Sequence, residues 1–491
     1  MQPQVRSLTL LAALALGCAS PPPVDADLVI DHVTLIDGTS AAPRTDMSVA
    51  VRGETIVFVA PTRQLRRLAL DARRIDGRGK YLIPGLWDMH AHLYGYDEHA
   101  FPLFLANGIT TIRDVGGDLR TLLRLREEIR ANRLLGPTML IAGPTLDADY
   151  MVRAVATTPF AGGRAAVPDS ATAVLMVDSL ARSGVDQLKV HSMTPRAAYF
   201  AIAARARQLG IPVVGHIPDS VLPDEAIAAG QRTIEHDFRI SLGMSPAGPA
   251  ISAWALATMQ RHVDSTQARP NYGPLVGARI AADDSGRKTF DSTFAAGFAE
   301  RAAKAQLWFD PTLAANEASI RSSDPSVRQR PEWKYVPARA RTIEDGPPPS
   351  TRPTTAELES ARREWQASLA MFRPLVRAGA KFVAGSDVPV PPLVPGFSIH
   401  WELEQLVTMG LVPAEALRAG TRNAAEATGE LKQLGTVEIG KTADLVLLDA
   451  DPLASISNVR RIRGVMSRGR WLDRATLDGM LREAEAFAKL P

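Results

Sequence analysis

Short apolar runs that each finish on a chemically strong polar side chain recur through the middle of this 491-residue sequence, and few folds accommodate such a pattern. The runs end at or beside His90, His92, Lys189, His216, His236 and Asp387. Imidazoles, a lysine and a carboxylate delivered from separate strands make a donor set suited to one or two divalent metals. In His90-Ala91-His92 the two histidines are i and i+2 at the end of an apolar strand. Both rings therefore point to one side and can hold one ion.

Strand-like runs end near His92 and cover 109–115, 138–143, 185–191, 211–216, 232–236, 307–312 and 381–386. Helical patterns lie between them, at 119–132, 171–183 and 195–210 among others, each closing near Gly or Asn. Eight strands with intervening helices predict an α/β chain folded as a TIM-like (β/α)8 barrel over 82–430. The spacing supports this: 27 positions from Lys189 to His216 and 20 from His216 to His236 fit successive strand–helix units. The 151 positions from His236 to Asp387 do not, so a helical insertion is expected at about 238–370, including the Pro-rich 346–349. A loop after a barrel strand opens on the catalytic face, which makes this insertion a candidate lid or substrate selector. The plain alternative is a helical excursion with a solvated linker.

Both ends of the chain read differently. Residues 26–36 and 47–59 alternate and are broken by Asp-Gly and Arg-Gly turns, and 435–449 reads as strand, turn, strand. A small β-sandwich domain built from 24–81 and 431–491 is therefore expected. Residues 1–23 read as a signal peptide and linker: Arg6, the apolar stretch Leu8 to Leu16, too short to span a bilayer, then Cys18 and three prolines. Cys18 is the only cysteine, which rules out an intrachain disulfide and a catalytic thiol elsewhere. Its place after the apolar stretch resembles a bacterial lipoprotein signal, in which such a cysteine is the lipid anchor. The alternative is a cysteine removed with the leader. Export is expected on either reading, to the periplasm or to the outer membrane by a lipid, with no other membrane contact.

With 46% hydrophobic residues the chain can bury a large core. Its 56 basic and 53 acidic residues are scattered, so nothing points to nucleic acid, which needs clustered Lys and Arg. A homo-oligomer remains open.

Pro84 to His92, ending Asp88-Met89-His90-Ala91-His92, resembles the first-strand motif of the amidohydrolase superfamily. Gly385-Ser386-Asp387 resembles its eighth-strand motif, and the segments 407–417, 421–425 and 439–446 are similar to those of imidazolonepropionase-like and prolidase-like members. The resemblance covers nearly everything after the leader except the insertion. It implies that His90 and His92 are ligands and that Lys189 is carboxylated, its carbamate bridging two metals. A lysine ending a strand can also snorkel to water or serve as a point charge. His216 and His236 would bind the second ion, although in mononuclear relatives one of them is free to contact substrate. Asp387 would be both ligand and proton carrier.

Other polar residues carry weaker signals. His191 shares a face with Lys189 and is a candidate for the substrate carboxylate or carbonyl, or for holding a ligand in place. Tyr94 and Tyr96 come just after the first histidines and are candidate donors to a scissile carbonyl, with packing around the mouth as the alternative. Arg113 and Asp114 are expected to pair with each other, and His400 is a lesser candidate for the pocket.

The whole implies a secreted hydrolase with two divalent ions, zinc foremost. One ion would be held by His90, His92, Lys189 and Asp387, the other by Lys189, His216 and His236. A bridging hydroxide would attack the amide of a dipeptide or N-acyl amino acid. The rivals are a mononuclear cyclic amidohydrolase resembling imidazolonepropionase, and a non-catalytic binding protein on the same barrel.

Overall fold

Ten short parallel strands carry the central part of the chain in a computed structural model, which describes residues 24–39, 42–65, 72–155, 161–265, 272–322, 324–337, 353–390 and 392–490. The leader with Cys18 and the segment 346–349 lie outside the described residues. Leu86–Ala91, Ile109–Asp114 and Thr138–Ile141 form a three-stranded parallel sheet. A seven-stranded parallel sheet runs Arg164–Ala166, Thr145–Asp147, Leu188–Val190, Val213–Gly215, Thr233–Glu235, Trp308–Asp310 and Lys381–Phe382. Backbone hydrogen bonds connect the two at both edges. On one side Met89 N donates to Ala384 O (2.9 Å) and Asp387 N to His90 O (2.7 Å). On the other Asp186 N donates to Ile141 O (2.9 Å).

Local chemistry sets the helices between these strands. Leu119–Arg130 starts where the Asp118 carboxylate accepts from Thr121 N (2.9 Å), and it buries Leu122, Leu125 and Ile129 on one face. Asp169 caps Ser170–Arg182 in the same way, and Arg196–Leu209 ends at Gly210, whose φ of 70° suits a residue without a side chain. These three helices fall within two residues of the expected bounds.

The expected insertion is two helical excursions rather than one, because the strand Trp308–Asp310 returns the chain to the sheet between them. The first holds Gly248–Ser265, Tyr272–Lys288 and Ser292–Lys304; the second includes Leu313–Ile320 and Thr355–Arg377.

The chain ends meet in one eight-stranded sheet. Tyr81–Pro84 lies between them, parallel to Leu28–Leu35 and antiparallel to Leu445–Leu448, with Leu82 opposite Leu447. Val33, Val49 and Leu82 from the first part pack with Leu445, Leu447 and Met466 from the second. Within the expected 435–449 hairpin only Leu445–Leu448 is a strand. The preceding residues bond elsewhere, Val437 N to Asp37 O (3.0 Å) in a loop and Gly440 N to Ile56 O (2.8 Å) in the strand Thr55–Pro61. Two later strands, Ile462–Ser467 and Arg470–Asp473, complete the sheet.

Candidate active site

The C-terminal ends of the parallel strands bring five of the six expected ligands to one place as near neighbours. The His90 ring lies 5.4 Å from that of His92 and 4.8 Å from that of His236, which is 4.8 Å from His216. Asp387 Oδ1 is 3.2 Å from His90 Nε2 and 3.6 Å from His92 Nε2, and its Oδ2 is 3.9 Å from His236 Nδ1. Lys189 lies below them, buried, with Nζ in contact with Glu235 Oε2.

Backbone shape contributes to this convergence. His236 and Asp387 have φ of 64° and 60°, the left-handed region that non-glycine residues seldom occupy. Successive strand residues normally face opposite ways, so Glu235 and His236 would diverge on a regular strand. The turn at His236 lets both approach the centre. Such conformations cost of order 1–3 kcal/mol each and persist where the surroundings hold them.

Hydrogen bonds orient the rings. His92 Nδ1 lies 2.8 Å from Gly116 O, an acceptor, so this nitrogen carries a hydrogen and Nε2 is turned toward Asp387. Burial pushes the His92 imidazole down, but Asp387 outweighs it and holds it above the usual value. His216 Nδ1 meets Ser192 Oγ at 2.7 Å and His236 Nδ1 meets Thr312 Oγ1 at 2.6 Å. His90 Nδ1 is buried without a hydrogen bond, its nearest carboxylate oxygen being Glu235 Oε2 at 3.5 Å. Burial is the first cause holding His90 and His216 well below the usual imidazole value, which keeps both rings neutral and able to ligate. Burial pushes Asp387 up, but His236 and His92 outweigh it and leave its carboxyl below the ordinary range.

A charged layer that the sequence reading missed supports this floor. Arg113 Nη2 donates to Glu235 Oε1 (2.9 Å) and Asp310 Oδ2 (3.0 Å), all three groups being buried. Arg113 and Asp114 therefore do not pair as expected: as neighbours on a strand they face opposite sides, and Asp114 accepts instead from Gly116 N (3.0 Å) and Leu93 N (3.2 Å). Burial pushes Asp310 well above the usual carboxylate value, with Arg113 only partly offsetting it. Ser386 bonds to Asp88 through both its hydroxyl and its amide, which ties the two histidine- and aspartate-bearing segments together. Glu235, Asp310 and Asp88 each lie in an apolar strand near its end, the same signal that found the histidines, but applied only to recognised motif positions.

The remaining candidates divide. His191 stands at the wall, its ring 4.4 Å from that of His216 and its Nδ1 2.9 Å from Asp147 Oδ2. Tyr94 stacks on His92 at 5.3 Å. Tyr96 is buried in the main apolar core and is not brought to the site. Nor is His400, which is buried with Nε2 2.8 Å from Asn107 O.

A sequence model of the amidohydrolase family matches residues 81–472. The chain belongs to the amidohydrolase family. It is a hydrolase of carbon–nitrogen bonds in small molecules, in a family that generally uses divalent metal ions, and His90, His236 and Asp387 form a candidate site for one. The imidazolonepropionase of Symbiobacterium thermophilum is 24% identical over 412 residues, 82% of this chain and 83% of that protein. The match to the Shouchella clausii imidazolonepropionase is 43% identical but spans only 15% of that protein. Among solved structures, a putative prolidase from Bifidobacterium longum superposes with a TM-score of 0.64 at 23% identity, covering 93% of this chain and 98% of that one. Bottromycin amidohydrolase gives 0.71 at 22% identity, covering 94% and 90%. At these identities the structural matches establish a shared fold.

Proposed function

We propose that this amidohydrolase is an exported enzyme that uses two divalent ions to cleave the amide of a dipeptide or N-acyl amino acid, from a closed (β/α)8 barrel with a β-sandwich companion. The observation that carries the metal reading is the meeting of His90, His236 and Asp387, whose donor atoms all lie within 4.8 Å of one another. The donor set fits: imidazoles of His92, His216 and His236 oriented by their Nδ1 partners, an ionised carboxylate, and a buried His90 nitrogen without a hydrogen bond. Zinc suits such nitrogen- and oxygen-rich sites. The dipeptide and N-acyl amino acid classes draw support from the prolidase-named neighbours. Leu8 to Leu16 followed by Cys18 supports export with a lipid anchor.

Bound ions would supply an acidified water and the charge that steadies an oxyanion. In this chain His90, His92, His216 and His236 would hold them, and Asp387 would carry the proton of the attacking water to the leaving nitrogen. Lys189, once carboxylated by carbon dioxide with release of a proton, would present an anion between the two positions. The contact of Lys189 with Glu235 favours a second reading, in which the lysine stays an ammonium and one ion suffices.

Metal content and amide hydrolysis measured together on the leaderless protein and on Lys189→Ala decide between them. Two ions per chain in the parent, with metal and activity both lost in the variant, are expected. One ion and undiminished activity in the variant would favour the mononuclear reading, and no metal-dependent turnover of any amide would support a binding protein.

A further inference from the structure

Arg164 occupies the rim of the site on the short strand Arg164–Ala166, which pairs in parallel with Thr145–Asp147. Its Nη1 contacts Asp147 Oδ2 and stands 3.2 Å from His191 Nδ1, and its Nη2 is 3.5 Å from His191 Nε2. The His191 ring lies 4.4 Å from that of His216. A permanent positive charge thus sits two side chains away from the candidate metal position.

Arg279, from the helix Tyr272–Lys288, approaches the same wall from the insertion. It grips Asp219 through Nε (3.0 Å) and Nη2 (2.8 Å), and its guanidinium carbon is 5.7 Å from the Phe238 ring. That ring lies 5.4 Å from His216 and 4.9 Å from His236. Arg164 through His191, and Arg279 through Phe238, thus both stand against the wall that the His216 ring helps to form.

Their surroundings separate their roles. Arg279 and Asp219 are both buried and joined at two nitrogens, an arrangement that pins the insertion to the loop after His216. Arg164 has 20% of its side chain exposed while Asp147 is shut away, so one carboxylate anchors the guanidinium from beneath and leaves it accessible at the mouth. A guanidinium is planar, always charged and matched to a carboxylate. In a dipeptide or N-acyl amino acid only the nitrogen and the α-carbon separate the scissile carbonyl from the free carboxylate. A receptor for that carboxylate must therefore lie close beside the metal position.

We propose that Arg164 is the specificity residue that receives the free carboxylate of the substrate, so that the enzyme selects anionic amides over neutral ones. The assignment rests on the amide-hydrolase reading above.

The test compares release of acetate from N-acetyl-L-leucine and from N-acetyl-L-leucinamide, which differ only in the carboxylate. The proteins are the metal-loaded parent, Arg164→Lys, and the double variant Arg164→Met with Asp147→Asn, which leaves no buried carboxylate unpaired. We expect the parent to favour the acid. In the double variant the acid-to-amide ratio of kcat/KM falls about tenfold or more, chiefly through KM for the acid, with the lysine variant between. Equal use of both compounds by the parent, or a proportional loss on both in the double variant, would overturn the proposal. If the parent cleaves neither, the substrate reading fails on its own account and calorimetric binding decides. Binding of N-acetyl-L-leucine but not its amide, lost in the double variant, upholds the role of Arg164, and anything else rejects it.

Discussion

Lys189 and Glu235 form an ion pair at the floor of the site, with side chains 2% and 0% exposed. Two charges so far from water depend on each other, because removing one leaves the other buried without compensation. Glu235→Leu or Lys189→Met alone should each destabilise the metal-stripped protein by about 3–5 kcal/mol. The double variant should lose less than the two single losses combined, though not nothing, because Glu235 also pairs with the buried Arg113. Urea unfolding of the four proteins measures it, and additive losses in the double variant would show that the two charges stand independently.

Asp387 should matter for turnover more than for folding. Asp387→Asn keeps the shape but removes the basic oxygen that lies 3.2 Å from His90 Nε2. A fall in kcat of about 10²–10⁴-fold is expected, with a smaller change in KM. Steady-state kinetics on the metal-loaded variant, with its metal content determined alongside, separate a lost proton carrier from a lost ligand.

Gly163 adjoins Arg164, and a Cβ there would overlap the Tyr94 hydroxyl. Tyr94 in turn stacks on His92. Gly163→Ala should cost about 1–3 kcal/mol by overpacking, and most of it should vanish in a Tyr94→Leu background. An equal shift in melting temperature in both backgrounds would show that this contact is not the cause.

His400 gives the protein an acid-sensitive element away from the metal position. Burial is the main reason its imidazole is held down to about 3, against 6.5 when unfolded. Between those values the unfolded chain binds a proton that the folded chain does not. Stability therefore rises with pH across that window and is lost as pH falls below about 6.5. His400→Gln keeps a donor for Asn107 O but does not titrate, so its stability should fall less steeply over that range. Denaturation midpoints at several pH values compare the slopes, and identical slopes would rule His400 out.

The periodic strand ends made the alternation of strands and helices legible, since His90, His92, His216 and His236 mark where apolar runs stop. The helix bounds were legible for the same local reason: Asp118 and Asp169 each cap the helix that begins at the next residue, and Gly210 closes the one that ends at Leu209. The Arg113 network was not, because its partners Glu235 and Asp310 come from strands remote in sequence. Nor was the fate of Tyr96. Its spacing from His92 suggested the mouth, but the side chain is buried in the main apolar core. The approach of Arg164 to His191 depends on an extra parallel pairing that no local pattern announces.

Tyr81–Pro84, which leads straight into the strand bearing His90, is paired on one side by Leu28–Leu35 and on the other by Leu445–Leu448. A chain truncated before Leu445 lacks one of those two neighbours. The bed on which His90 and His92 rest is therefore completed only by residues that the ribosome adds late, more than three hundred and fifty positions after the pair itself.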